Sequence, residues 1–235
     1  TQVVLKSDLG ELTRLSPGLL PLKPGVRLEG RLELDLDARV KEGRFSVVAK
    51  GELAGLTAIE GETASLLDPK ISFGVQMDWD SHQAAVRVAH ATLQSQVVTL
   101  EARGGVSGLK AGSAWTLEEG SLRVDADLTF LQRKLRSFLR MPEQADFGGK
   151  VNFKAGYQNR KLDAKATLEG VSASGVGLTI PLDLVVDQKS RLEENGDLKV
   201  DHLKITGSWI DFEVKGKVAS VLKPERQAKG FWTLS

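Results

Sequence analysis

The segment VRLEGRLELDLDARV, from Val26 to Val40, alternates apolar and polar residues without interruption. Leucine, valine, alanine and glycine occupy its even-numbered positions, and arginine, glutamate and aspartate occupy its odd-numbered positions. A period of two is typical of a β-strand with one apolar face and one solvated face. At about 3.3 Å per residue the segment would reach roughly 50 Å, far beyond an ordinary strand of about five or six residues. The fold must therefore accommodate an unusually long apolar surface.

The same alternation continues along the chain and predicts an all-β fold. The segment KEGR is a turn that connects the first strand to a second one, which runs to Leu56. We therefore predict a hairpin closed near Gly43. The segments KISFGVQMDWD, SLRVDADLTF and KVNFKAGY also alternate, QNRK follows as a turn, and Asn195–Gly196 carries a dipeptide typical of hairpin turns. We predict mainly antiparallel strands that form a long curved sheet, arranged as a groove, a taco or an open barrel.

Four segments of similar pattern are spaced by about 50–60 residues, which is a range typical of internal repeats. They are VVAKGELAGL at 47–56, LEARGGVSGL at 100–109, LDAKATLEGV at 162–171 and FEVKGKVASV at 212–221. Each combines alternating apolar positions with a basic residue followed by glycine or alanine. We predict a single repeat-built β domain over residues 1–235, and we expect it to be a fragment of a longer protein because no leader follows Thr1.

Two short segments have helical rather than strand periodicity. The first, at 8–16, places Asp8 and Glu11 at the spacing of a capping box before Pro17. The second, at 131–141, is amphipathic. Its apolar face contains Leu131, Leu135, Phe138 and Leu139, and its basic residues are Arg133, Lys134, Arg136 and Arg140. We expect the apolar residues of this second helix to pack against an end or opening of the sheet and its four basic residues to face outward. The helix either plugs an open end of the β structure or contacts anionic lipid headgroups or a partner protein.

Composition excludes several classes of function. Lysine and arginine total 32 against 31 aspartates and glutamates, which leaves a net charge of +1 and no general electrostatic footprint for nucleic acid. Cysteine is absent, so disulfides and thiolate chemistry are excluded. With 41% hydrophobic residues, the chain has no apolar run near the roughly 18 residues that a membrane-spanning helix needs.

No residue pattern indicates catalysis or metal binding. His82, His90 and His202 lack a second histidine, cysteine or carboxylate at a metal-ligand spacing. The acidic pairs Asp35/Asp37 and Asp125/Asp127 belong to strands in which alternate residues are charged, so a solvated face accounts for them. Neither a phosphate-binding loop nor a nucleophile elbow is present. We therefore predict no enzyme, no metal and no cofactor.

An apolar sheet face has to be covered by another layer, and two short helices cannot cover so many strands. One possibility is a sandwich or barrel filled by its own side chains. The other is a curved groove that holds lipid chains. The residues of this face are mostly small or aliphatic, only 6% of the chain is aromatic, and glycines within strands make a close-packed core difficult but permit bends. Both possibilities remain open at this point.

The long alternating strands, segments such as LEARGGVSGL and the ending GDLKVDHLKITGSWIDFEVKGKV resemble the AsmA/TamB superfamily of Gram-negative envelope proteins. The ending is also similar to the type II secretion component GspN. The resemblance extends from Val26 to the end and concerns residue classes rather than a fixed motif. It implies a periplasmic protein, membrane-anchored in its parent chain, whose β-groove carries phospholipid chains between the inner and outer membranes.

This resemblance and the alternation together lead to a predicted function. We expect a non-enzymatic module that shields phospholipid or other lipid acyl chains, and the alternative is a scaffolding β module of a secretion or envelope-assembly system. The expected partners are lipids, the inner or outer membrane through other parts of the parent protein, and envelope or secretion proteins; an enzyme or a carbohydrate-binding jelly roll ranks third. The candidate lipid-lining residues are Leu28, Leu32, Leu34, Leu36, Phe45, Val47, Leu53, Phe73, Val75, Met77, Trp79, Leu122, Val124, Leu128, Phe153, Leu168, Phe212, Val214 and Val218. The candidate headgroup or partner contacts are Arg133, Lys134, Arg136 and Arg140.

Overall fold

The computed structural model describes residues 1–15, 22–109, 116–140, 146–173, 178–194, 197–218 and 230–234. Its elements are β-strands with two short helices. In chain order they are β1 (Gln2–Asp8), α1 (Leu9–Leu15), β2 (Val26–Lys41), β3 (Arg44–Glu60), β4 (Thr63–Asp80), β5 (Ala85–Gln94), β6 (Val98–Ser107), β7 (Thr116–Asp127), α2 (Leu128–Phe138), β8 (Phe147–Gln158), β9 (Lys161–Ala173), β10 (Leu178–Leu192), β11 (Leu198–Gly207), β12 (Asp211–Val218) and β13 (Gly230–Leu234).

All of these strands belong to one antiparallel sheet in which spatial order equals chain order, from β1 at one edge to β13 at the other. The predicted first hairpin is confirmed, because β2 pairs with β3 from Lys41↔Arg44 onward. Its turn residues, Glu42 and Gly43, both have positive φ, as a two-residue type I′ turn requires. The turn after β8 is also confirmed, and the Asn195–Gly196 turn lies outside the described residues.

The sheet is curved and open rather than closed into a barrel. Within the described residues, every neighbouring pair except β1–β2, β7–β8 and β12–β13 contains a register shift. Such bulges bend strands and increase their twist. In the β2–β3 pair the shift lies between Glu29 and Arg31, and β3 accommodates it with Gly55 at φ +64°, a left-handed conformation that favours glycine.

The four similar segments fall on every third strand: β3, β6, β9 and β12. Neighbouring strands are antiparallel, so segments three strands apart run in opposite directions. A half-turn about an axis normal to the sheet, rather than a translation, therefore relates them. The last segment continues to Val221, beyond the residues that the structure describes.

A packed core lies at one end of the sheet, where the connections 61–62 and 95–97 and the two helices also lie. Its buried residues are Val26, Leu28, Ala58, Leu67 and Phe138. Leu9 of α1 and Leu22, Leu56, Leu135 and Leu139 pack around them. Thus the helices cover the apolar face over the ends of β2, β3 and β4.

The helix boundaries differ from the predicted ones. Helix α1 begins at Leu9, after Asp8, whose Oδ1 accepts a hydrogen bond from the backbone N–H of Gly10 at 2.7 Å. Helix α2 begins at Leu128, three residues earlier than predicted, because Asp127 acts as its N-cap and accepts from the N–H of Phe130 at 2.8 Å. It ends at Phe138, and Met141, the predicted end, lies outside the described residues.

Gly51 on β3 provides a test of this packing. A Cβ at this position would overlap with the Phe73 ring of β4, whereas a Cβ at Gly156 on β8 would meet nothing within 4 Å. We expect Gly51→Ala to lower the free energy of unfolding by about 1–3 kcal/mol through overpacking and Gly156→Ala to leave it nearly unchanged. Urea denaturation of both variants measures the difference, and equal effects would contradict the described position of Phe73.

Candidate functional site

The apolar positions of successive strands line up from β1 to β12. Leu34 of β2 pairs directly with Leu5 of β1 and with Gly51 of β3, and the same register continues from strand to strand. Residues that oppose each other in a ladder point to the same face. The resulting central row is Leu5, Leu34, Gly51, Phe73, Leu93, Leu100, Val124, Phe153, Ala166, Val186, Ile205 and Phe212. It crosses twelve strands without a polar residue.

A second row, two residues along each strand, is almost as uniform. It consists of Val3, Leu36, Ala49, Val75, Ala91, Ala102, Leu122, Ala155, Ala164, Gln188, Leu203 and Val214. Gln188 interrupts it and lies 3.4 Å from the Ser190 hydroxyl. The predicted sharing of a face by Leu32, Leu34 and Leu36 with Phe45, Val47 and Leu53 is confirmed by this register. We call the surface formed by these rows the apolar face.

The opposite face is polar on nearly every strand, with Val185 as the exception in the row that follows. The row adjacent to the central row is Lys6, Glu33, Glu52, Ser72, Gln94, Thr99, Asp125, Asn152, Thr167, Val185, Thr206 and Asp211. Cross-strand ion pairs such as Lys6–Glu33, at 3.0 Å, lie on it. The contrast between the two faces matches the alternation seen in the sequence. The apolar pairing also continues beyond the register shift between β4 and β5, where Met77 pairs with Val88.

Hydrogen-bond partners and charged neighbours lower the pKa of two carboxyl groups, Glu213 and Asp80. The hydrogen bond and the charge of Lys215, followed by the hydrogen bond with His202, lower the pKa of Glu213. At the opposite end of the sheet from the helices, hydrogen bonds from the backbone N–H of Gln83 and then of His82 lower the pKa of Asp80. Both carboxylates are thus held in their charged form by ordinary surface partners.

The apolar face is largely uncovered outside the packed core. All residues of the central row are half-buried or exposed, and Phe45, Val75 and Leu122 retain 37%, 36% and 37% of their accessible surface. The chain exposes 15346 Å² in total, whereas a compact monomer of 25.4 kDa is expected to expose roughly 10,000 Å². Neither a second sheet nor a closed barrel fills this surface in the part of the chain that the structure describes.

Two of the predicted lining residues lie elsewhere. Leu28 is only 2% exposed and belongs to the packed core beneath the helices. Leu128 is the first residue of α2 rather than a strand residue, because the Asp127 cap ends β7 three residues before Phe130, the end of the predicted alternating segment. The other predicted lining residues are placed in strands of the sheet, although one of them, Val214, is only 4% exposed. Whether they contact lipid remains a prediction.

Helix α2 packs against the covered end of the sheet, as its apolar stripe predicts. Phe138 is buried, and its carbonyl accepts a hydrogen bond from the N–H of Lys23 at 2.9 Å. Leu135 and Leu139 contact the same core. The apolar side of the helix is therefore occupied by the protein itself.

The basic residues of α2 are not equivalent. The side chains of Arg133, Arg136 and Arg140 are exposed, and an Arg136 guanidinium nitrogen lies 3.9 Å from Asp146 Oδ1. Lys134, in contrast, donates to the backbone carbonyl of Leu66 on β4 at 2.9 Å and lies 4.9 Å from the centroid of the Phe130 ring. The expectation that all four face outward is wrong for Lys134, because its long side chain reaches back across the sheet end.

A cavity of about 620 Å³ lies beside strands β5 to β9, towards the end opposite the helices. Its lining includes Arg87, Arg103, Glu119, Tyr157 and Asp163. Charges of both signs make it unsuitable for an acyl chain. The sequence pattern did not reveal it, since its residues come from five strands and depend on the register.

His82, His202 and the carboxylate of Asp37 have neighbours that account for them structurally. His202 lies 3.3 Å from Glu213, His82 lies 3.2 Å from the carbonyl of Glu42, and Asp37 pairs with Arg39 at 2.6 Å. Among the described residues no group of three or more histidines, cysteines and carboxylates could hold a metal ion. Within the same residues, neither helix has the length and apolarity needed to cross a membrane.

Comparisons with family models, with curated proteins and with solved structures find no match to this chain.

The exposed basic residues of α2 allow a test of membrane contact. We expect the double variant Arg133→Glu/Arg140→Glu to bind vesicles of anionic phospholipid at least roughly tenfold more weakly, since each basic residue near such a surface contributes about 1 kcal/mol. The melting temperature should change little because both side chains are exposed. Vesicle co-sedimentation and thermal denaturation measure the two effects.

Lys134→Ala is the matched comparison. Loss of its bond to the Leu66 carbonyl should lower the melting temperature more than the double substitution does. Vesicle binding that is unchanged in the double variant would leave α2 as a cap of the sheet end alone.

Proposed function

We propose that this protein is a non-enzymatic lipid-handling module that shields phospholipid acyl chains along its apolar face. The observation that supports this most directly is the central row, which stays apolar across twelve strands and contains no fully buried residue. Exposed apolar patches of this extent mark surfaces that are covered in use. A lipid chain is an occupant whose only chemical requirement is such a surface.

The energetics of this surface suit an acyl chain. Each CH₂ group that leaves water contributes about 0.8 kcal/mol, and no directional polar contact is required. Successive positions of the central row differ little in chemistry, since they are aliphatic or aromatic with one glycine at Gly51. A chain could therefore move from strand to strand with a small change in free energy at each step, which fits transport better than tight storage.

The proposed setting follows from the resemblance to the AsmA/TamB superfamily. In that setting the module is periplasmic, belongs to a membrane-anchored parent protein and works between the inner and outer membranes. The alternative, a scaffolding β module of an envelope or secretion assembly, predicts the same fold without bound lipid. Native mass spectrometry of the purified chain, followed by lipid extraction, separates the two.

Leu34→Asp tests the apolar face itself. Leu34 is half-buried on the open part of β2, so a carboxylate there reaches water when no lipid is bound. We expect the variant to fold with a melting temperature close to that of the wild type but to lose co-purified phospholipid. Thermal denaturation and lipid mass spectrometry measure these outcomes.

Two controls accompany this variant. Leu28→Asp, on the same strand but in the packed core, buries an unpaired charge and should prevent folding. Lys154→Asp places the same side chain on the polar face between Arg123 and Lys165 and should retain lipid. Unfolding of Leu34→Asp together with a lipid-free wild type would refute the lipid-handling proposal.

A further inference from the structure

Gln188 of β10 is an exception to the chemistry of the apolar face. In the central and second rows, from β1 to β12, it is the only residue whose side chain forms hydrogen bonds. Its position is fixed by pairing on both sides, with Ala164 of β9 and with Leu203 of β11. The amide therefore lies among aliphatic neighbours on the apolar face.

The Gln188 amide has more hydrogen-bonding capacity than Ser190 uses. A glutamine side chain offers two N–H donors and an oxygen with two acceptor lone pairs. Its Nε2 lies 3.4 Å from the Ser190 hydroxyl oxygen, which is longer than the usual N–H···O distance of about 2.7–3.2 Å. Gln188 is half-buried, so water can reach the amide while the face is open.

An acyl chain lying over Gln188 would exclude that water. Burial of an amide without a compensating hydrogen bond is unfavourable, so a plain hydrocarbon is a poor ligand at this point of the face. A ligand that places a carbonyl group there replaces the water and offsets the cost. A neutral group suits the position better than a charged one, because neither row contains a charged residue.

The apolar face differs on the two sides of β10. Toward β12 it is nearly inaccessible at Val200 and Val214, which are only 6% and 4% exposed. Both residues follow the register of β10 onto this face. Toward β1 it is open, and Leu122 of the second row retains 37% of its accessible surface. Gln188 thus lies at the boundary between the open and the covered parts.

We propose that Gln188 binds the ester linkage of an acyl lipid, with its Nε2 donating to the ester carbonyl and the hydrocarbon tail extending from β10 toward β1. This inference rests on the proposed function and adds a substrate class to it. The class is acyl lipids with a neutral carbonyl linkage, as distinct from plain hydrocarbons. The hydrogen bond gives the bound lipid a defined position on a surface that is otherwise uniform.

Competition between two probes with chains of the same length tests this contact. Methyl palmitate carries an ester and hexadecane does not, and displacement of a fluorescent fatty-acid analogue measures the affinity for each. We expect the ratio of the affinity for methyl palmitate to that for hexadecane to fall roughly three- to tenfold in Gln188→Leu, through the loss of one neutral hydrogen bond. Comparing this ratio between proteins cancels the different water solubilities of the probes.

The control is Gln94→Leu, which removes the same kind of side chain from an exposed position on the polar face and should keep the wild-type ratio. Gln188→Met is a second apolar variant for use if Gln188→Leu lowers the melting temperature. A ratio that is unchanged in both Gln188 variants would overturn this inference and leave lipid handling intact. A wild type that binds neither probe would instead refute the proposed function, and this inference with it.

Photo-cross-linking measures the direction of the tail. Methyl palmitate with a diazirine at its terminal carbon should label strands on the β1 side of β10, because Val200 and Val214 are nearly inaccessible on the other side. The same ester with a diazirine beside the carbonyl should label β9 to β11. Mass spectrometry of the labelled peptides identifies the strands. Terminal labels on β11 or β12 would overturn the proposed direction.

Discussion

The rest of this structure depends on one constraint. Apolar and polar residues alternate along each strand, and the strand registers place apolar residues opposite one another. A slip of one residue in any pairing would move the entire apolar set of a strand to the polar face. The register shift of the first hairpin, between Glu29 and Arg31, occurs without exchanging the faces, because Leu28 pairs with Ala58 on one side of it and Leu32 pairs with Leu53 on the other. The apolar face therefore extends across the sheet as one surface, and the polar face extends behind it.

The apolar face is covered at one end of the strands and mostly open over the rest of them. At one end, α1 and α2 bury Val26, Leu28 and Phe138 and supply the packed core. Over the rest of the strands the same kind of residue remains half-exposed, with Leu34 as an example. The packed end anchors the fold, and the open part remains available for a ligand, which is the division of roles that the lipid-handling proposal requires.

Much of this arrangement could be predicted from the sequence because a period of two reports the face of each residue directly. The first hairpin, its turn at Gly43 and the shared face of Leu34 and Val47 follow from local pattern alone. The burial of Leu28 could not be predicted, since it results from helices distant in the chain. The start of α2 at Leu128 was missed because the alternation continues smoothly through the Asp127 cap. The contact of Lys134 with the Leu66 carbonyl depends on a neighbour that only the three-dimensional structure reveals.

The match between spatial order and chain order determines how stability is distributed along the sheet. Each strand exchanges backbone bonds only with its immediate neighbours in sequence, as in β3 between β2 and β4. Stability is then a sum of nearest-neighbour interfaces, similar to that of a repeat array, and it should decline from the helix-anchored strands toward β13. Adding or removing a pair of strands would alter the length of the sheet while preserving its cross-section, so length is a property that evolution can vary without redesigning the fold.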